Sequence, residues 1–225
     1  MKVLPAVLAV LLVAGCGSGT EPHPLTEQQA ELLAVARFTN YDHGVVAFRS
    51  RVPSAAGTLE LTGRVDYARG VGYGTLRTDA RHDYGSTGLL QWNRKGLAFL
   101  ADATQAADPP PAGQWRLRPL QASGGDLDTA LALLLGFGND RPDNAQLLRQ
   151  SDARWLRQDT VDGTAVDVFE GPRGGSGKSP KLRYWVAGSG DLRRVEARIG
   201  TAESDAAFDL TPGGAPFVAL TQLSG

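Results

Sequence analysis

Several residue types are scarce in this 225-residue chain, and each scarcity narrows the possibilities. It has one cysteine, Cys16, so an internal disulfide is excluded and the fold must stand on its core. A structural zinc site built on cysteines is excluded for the same reason. Only three histidines occur, His23, His43 and His82, too widely spaced to suggest a metal-ligand set, and no metal or cofactor is expected. The charges nearly cancel, with 23 basic and 24 acidic side chains. The basic excess of a nucleic-acid binder is absent. No Gly-x-Ser-x-Gly elbow sits between a strand and a helix, and no catalytic constellation stands out, so an enzyme is not expected.

What is abundant points to strands and turns. Gly 28 and Pro 13 are high counts for a helical protein. The length fits a single domain.

The amino terminus has its own logic. Met1-Lys2 is followed by the apolar run Val3–Val13, broken only by Pro5, and then by small residues. That is the layout of a secretory signal peptide and is short for a bilayer span. Val13-Ala14-Gly15-Cys16 resembles the bacterial lipobox, in which the cysteine is acylated and the chain is cut before it. The alternative is an ordinary secreted protein with an incidental cysteine. The expected division is a signal peptide over 1–15, a lipidated cysteine and tether over 16–24, and a domain over 25–225. Loss of Lys2 takes the formal charge from -1 to -2. The segment from Gly17 to Pro24 has no apolar period and reaches at most about 29 Å when extended. A doubly acylated anchor holds firmly, since each buried CH₂ contributes about 0.8 kcal/mol. The expected location is the extracytoplasmic side of a cell membrane.

Within the domain, Thr26-Glu27-Gln28-Gln29 reads as a capping box, and Ala30, Leu33, Ala34, Arg37 and Phe38 share one side of the helix that follows. Leu59, Leu61, Val65 and Tyr67 alternate with polar residues, as in a strand with one wet face. Arg69-Gly70 turns into a strand over Val71–Thr78. Leu89–Trp92 and Leu97–Leu100 flank a hairpin turn at 93–96, and Asp108–Gly113 breaks the sheet before a short strand over Gln114–Arg118. Asp126 is placed to cap a helix over Leu127–Phe137, with Leu127, Leu131, Leu134 and Leu135 on one stripe. A helix this apolar must be covered by protein or by ligand. Pro142 suits the first turn of another helix carrying Leu147 and Leu148.

The last third is strands again. Trp155–Val161 and Thr164–Glu170 flank Asp162-Gly163, a strong hairpin signal. Leu182, Tyr184 and Val186 alternate, then Val195, Ala197 and Ile199, then Ala206, Phe208 and Leu210. About eleven strands and three helices result. The pieces imply an α+β fold: a curved antiparallel sheet, or half-barrel, with helices packed on its concave face.

This order, with Gln114-Trp115, the stretch from Trp155 to Val166, Tyr184-Trp185-Val186 and the run from Gly190 to Val195, resembles the LppX/LprG-type lipoproteins. More distantly it is similar to the LolA/LolB and RseB-type proteins. The likeness covers roughly Leu25 to Leu210, as a set of weak motifs. It implies an apolar cavity between sheet and helices, and binding or carriage of lipids or lipidated molecules across the cell envelope. The RseB-type likeness also implies an alternative, a sensor or adaptor for a protein partner in the envelope. The mature chain departs from the pattern in its richness in arginine and glycine and in its long Gly171–Pro180 loop.

A carrier needs no nucleophile, only a dry pocket with few polar groups. The candidate lipid-binding residues are Leu131, Leu134, Leu135 and Phe137 from the central helix, and Leu59, Leu61, Val65, Tyr184 and Val186 from strands. Ordinary core packing is the competing reading for each, because register alone decides which strand face points inward. Trp92, Trp115, Trp155 and Trp185 are read chiefly as core. His82-Asp83-Tyr84 and Asp42-His43-Gly44 read as turns. Asp126 and Asp128 suit the positive end of a helix. Gly-Lys-Ser at 177–179 lacks both the spacing and the following helix of a phosphate loop.

Cys16→Ser is expected to abolish incorporation of a labelled fatty acid and to shift the protein from the membrane to the soluble fraction. Continued labelling of the variant would remove the lipobox reading.

Overall fold

The computed structural model describes residues 21–54, 57–79, 86–173, 181–220 and 223. Cys16 and the leader, His82 with its neighbours, and the Gly-Lys-Ser run lie outside the described residues. No described helix is long and apolar enough to cross a membrane.

The chain forms one antiparallel sheet of twelve strands. A first meander comprises β2 (Val45–Ser54), β3 (Gly57–Asp66), β4 (Val71–Thr78), β5 (Thr87–Asn93), β6 (Gly96–Ala101) and β7 (Arg116–Pro119). A second comprises β8 (Arg154–Val161), β9 (Thr164–Glu170), β10 (Arg183–Ala187), β11 (Leu192–Ala197) and β12 (Ala206–Pro212). They do not join where the chain passes from one to the other. Instead β12 pairs with β2, Phe208 opposite Ser50, so the last strand docks on the first long one. The short β1 (His23–Pro24) adds to the far edge beside β8. The result is the expected half-barrel, an open curved sheet with few helices.

Helix α1 (Glu27–Asp42) begins at the expected capping box: Gln29 N donates to Thr26 Oγ1 at 3.3 Å, and Thr26 N donates to Gln29 Oε1 at 3.0 Å. Its buried positions are Ala30, Leu33, Ala34, Ala36 and Asn40, so Phe38 lies off the covered stripe. The apolar helix α2 (Asp126–Gly136) is capped by Gly125, with Asp126 as its first residue rather than its cap. In α3 (Ala145–Gln150), Asn144 is the cap, accepting from Leu147 N at 3.0 Å, and Pro142 precedes the helix instead of sitting in its first turn.

Alternation along the strands divides the sheet into a face under the helices and an outer face. Val46, Phe48 and Val52 of β2, Leu59, Leu61 and Val65 of β3, and Phe208 and Leu210 of β12 join α1 and α2 in one core. Helix α2 lies on β2, β3 and β4. Trp92 folds over Gly72, its cross-strand partner, where a Cβ would stand 2.2 Å from the indole. Its Nε1–H donates to Leu131 O of α2 at 3.1 Å, and its ring meets Phe48 edge-on at 5.9 Å.

The Asp162-Gly163 turn has φ of 46° and 76°, the left-handed pair that a two-residue hairpin with the twist of its strands requires.

The outer face is covered in two ways. Over β10 to β12 it carries a cross-strand ion ladder: Arg183 meets Glu196 at 2.9 Å, Arg194 meets Asp209 at 2.5 Å, and, just beyond the ends of β11 and β12, Arg198 meets Asp205 at 2.7 Å. Over β3 to β5 the segment after β12 returns as a strap. Arg64 donates to Ala215 O at 2.9 Å, Arg69 to Phe217 O at 2.9 Å and Gln91 to Val218 O at 2.8 Å. Phe217 is buried against Tyr73, ring centroids 5.7 Å apart, with the Arg64 guanidinium 5.3 Å from its ring. Nothing in the local sequence pattern beyond Leu210 announces this strap.

Phe217→Ala is expected to cost about 3 kcal/mol, since it empties the centre of the strap's contact. Urea unfolding checks this. A loss within about 0.5 kcal/mol, the range of ordinary surface substitutions, would show that the strap is not part of the cooperative unit.

Candidate functional site

Among the described residues, α2 packs directly against the sheet's covered face. Leu131 and Leu134 are fully buried, and Leu135 and Phe137 nearly so. Phe137 meets Phe208 edge-on at 5.3 Å. Leu61, Val65 and Val186 are buried in the same cluster. The structure thus places these candidates in a direct contact between sheet and helix. Leu59 borders a cleft of about 380 Å³ beside the start of α2, together with Leu76 and Arg118.

A larger opening lies at the other end, between α1, α3 and β10. This cleft has a volume of about 670 Å³. Leu33 and Ala36 of α1, Leu147 and Leu148 of α3, and Leu182 with Tyr184 from the sheet side give it its apolar walls. Tyr184 is the one expected lipid-binding residue found there. Leu33 and Leu148, legible as helix positions, were not legible as a site, because the α1–α3–β10 juxtaposition joins segments more than a hundred residues apart.

The cleft has one polar corner, built by the loop between α2 and α3. Asp143 N donates to Ala34 O at 2.9 Å and Asn139 N to Arg37 O at 3.1 Å, stitching the loop to the end of α1. Asp143 then receives Arg37 in a fork, Nε at 3.0 Å and Nη2 at 2.5 Å. The remaining Arg37 nitrogen donates to Gly136 O at 3.4 Å. The Asp143 carboxylate holds the guanidinium above its ordinary pKa, against the opposing effect of burial. Tyr184 enters beside this pair. Its ring passes over Gly171, where a Cβ would come within 2.7 Å of it. Burial pushes the Tyr184 phenol up to about 12, with Arg37 drawing it down and Asp143 pushing it up. The hydroxyl therefore stays protonated across physiological pH.

Two other clusters resemble active sites without their chemistry. Ser189 Oγ donates to Asp191 at 2.8 Å, and His43 Nε2 lies 2.7 Å from the same carboxylate. Both bonds converge on Asp191, so the imidazole does not contact the serine and cannot take its proton. The contact ties the end of α1 to the β10–β11 turn. Asp126 and Asp128, adjacent in sequence pattern, part company in space. Asp128 is buried and accepts from Arg118 at 2.7 and 2.5 Å and from Gln121 N at 2.9 Å. Burial pushes its pKa up, but the bonds from Arg118 and Gln121 outweigh this and hold it below the usual carboxylate range. Among the described residues no group of three His, Cys, Asp or Glu side chains is placed to hold a metal.

No family model matches the chain, and no curated protein does. Solved structures share its general course at low identity. An uncharacterized conserved protein from Thermus thermophilus is 8% identical, with a TM-score of 0.43 over 84% of this chain and 90% of the other. MucB is 17% identical, with a TM-score of 0.39 over 86% of this chain. The Pseudomonas aeruginosa MucA/MucB complex gives 18% and 0.36 over 88%. This chain spans 60% of the length of those last two. Likeness of this degree concerns the course of the chain and assigns no family.

A carboxylate with a depressed folded pKa contributes stability above its unfolded value of about 3.9, and that contribution is lost as pH falls through the folded value. Asp128→Asn is therefore expected to cost about 1.5–3 kcal/mol at pH 7. The gap from the parent protein should close on acidification below about pH 4. Denaturant titrations at pH 7 and pH 3 check this; a gap independent of pH would refute the charged pairing.

Proposed function

We propose that this chain is a membrane-anchored extracytoplasmic lipoprotein that takes an acyl chain of a lipid or lipidated molecule into the cleft between α1, α3 and β10. The observation that carries the reading is the cleft itself. Its volume of about 670 Å³ lies within the range of roughly 300–1,000 Å³ typical of small-molecule sites. Its walls are mainly aliphatic, and each CH₂ transferred into them contributes about 0.8 kcal/mol. Leu147, 63% exposed on α3, extends the apolar surface outward from the cleft. The close packing of Leu131 and Leu134 against the sheet favours the α1–α3 end as the binding site.

The anchoring part of the proposal is supported by the Lys2–Cys16 pattern and by the resemblance to LppX/LprG-type lipoproteins. The point where the tether meets the domain agrees with it. Arg154 donates to Pro22 O at 2.9 Å, and His23 stacks on Trp155 with centroids 4.8 Å apart. Arg154 and Trp155 closely follow Ser151, which lines the cleft. The tether thus joins the domain near the cleft, within reach of the surface that Cys16 would occupy.

Protein produced without the leader and Cys16 is expected to copurify with acyl lipid detectable by native mass spectrometry. Leu147→Asp should lower that occupancy several-fold with an unchanged circular-dichroism spectrum, because an exposed site tolerates the change within about 0.5 kcal/mol. A parent protein that stays empty after purification and after incubation with lipid vesicles would overturn the proposal. Recovery of one stoichiometric envelope protein by crosslinking on cells, with the cleft empty, would favour the adaptor role instead.

A further inference from the structure

We infer that the cleft selects an uncharged acyl group, an ester or amide, over a free carboxylic acid, with Tyr184 and Arg37 donating to the acyl oxygen. This rests on the reading of the cleft as an acyl site and adds the chemistry of the group at the chain's polar end.

The argument starts from which polar groups in the corner are already spent. Among the described residues, Arg37 and Asp143 are the charged residues lining the cleft, and they neutralise each other in a bidentate pair. Asn144 Oδ1 accepts from Leu147 N at 3.0 Å. Ser151 Oγ donates to Leu148 O at 2.6 Å and accepts from Ala153 N at 3.1 Å. What remains is a surplus of donors. A guanidinium has five N–H groups; Arg37 directs its bonds to Asp143 and Gly136 O and still has N–H groups to spare. Tyr184 is only half-buried, lines the cleft, and its Oη makes no hydrogen bond to a described residue. Its O–H is thus open to the cleft as a donor for a ligand acceptor.

The acceptor's charge decides between candidate ligands. A free carboxylate at this corner meets Asp143 already seated on the guanidinium. It must either displace that carboxylate, leaving it unpaired, or lie beside a like charge in a partly desolvated site. A carbonyl oxygen of an ester or amide accepts from Tyr184 and from a spare Arg37 N–H without disturbing the pair. Two described cations adjacent in sequence to lining residues are already paired: Lys181 is held by Glu170 at 2.5 Å and Asp152 at 3.3 Å, and Arg173 lies 3.6 Å from Asp152.

The test uses the leaderless protein, delipidated, titrated at pH 7.5 with 1-monopalmitoylglycerol, an N-palmitoyl peptide amide and palmitate, each displacing a fluorescent acyl probe. One or both uncharged ligands should bind on the order of tenfold more tightly than palmitate, the effect of one lost hydrogen bond to a charged group or its equivalent in repulsion. Whether the glyceride or the peptide binds better tells a free lipid from a lipidated chain. Tyr184→Phe should weaken the uncharged ligands several-fold and leave palmitate little changed. Asp143→Asn frees the guanidinium and should raise palmitate affinity until the preference inverts, a gain that loss of structure does not produce. Equal binding of palmitate and the uncharged ligands by the parent protein, or an unchanged ratio in folded Asp143→Asn, overturns the inference while the acyl site stands. Failure of the parent protein to bind any of the three overturns both.

Discussion

The architecture depends on how α2 is fixed to the sheet. A helix whose stripe is almost wholly leucine does not persist in water, and twelve strands with bare glycines at 63, 72 and 74 would leave a shallow trough beneath it. Trp92 resolves both problems. Its indole fills the space over Gly72 and delivers its one N–H to Leu131 O, so a ring large enough to bridge sheet and helix also satisfies its own polar atom. Phe48, Phe137 and Phe208 close around that contact. Among the described residues the middle of the half-barrel is therefore closely packed, and the larger described cleft lies at the end where α1 and the short α3 meet the second meander.

That location explains the character of the cleft. Helix α3 has six residues and no buried member, so it covers the sheet incompletely. The long loop before it is held to α1 by backbone bonds and by the Arg37–Asp143 fork instead of by a packed apolar face. An ion pair of intermediate exposure adds little net stability, but it fixes geometry and leaves aliphatic walls apart. The outer face of the sheet follows the opposite strategy. There, arginines paired across strands and the strap centred on Phe217 shield the sheet.

Local patterns carried a great deal. The capping box at Thr26, the Asp162-Gly163 hairpin and the period-two runs through Leu59, Tyr184 and Phe208 name their own elements, because each depends on contacts within a few residues. Asp126 misled on the cap of α2 because Gly125 takes that position and Asp128 is drawn to Arg118. The apolar stripe of α2 was open to two readings, because a leucine facing a ligand and a leucine facing a sheet have the same sequence; in the structure the stripe packs on the sheet. Tyr184 was legible as a strand residue; Arg37, read only as part of a helix face, pairs with Asp143, which no local rule predicts.

The sequence by itself thus determined the strands, helices and turns, the near-neutral charge and the class of fold, since propensity, periodicity and turn chemistry act over short spans. Tertiary structure alone decided that β12 joins β2, that the final strap crosses the outer face, and that α1, α3 and β10 meet around a cleft. The reason is physical: whether facing apolar surfaces touch or stand apart depends on side-chain volumes summed across distant segments, and that sum exists only once the register of the whole sheet is set.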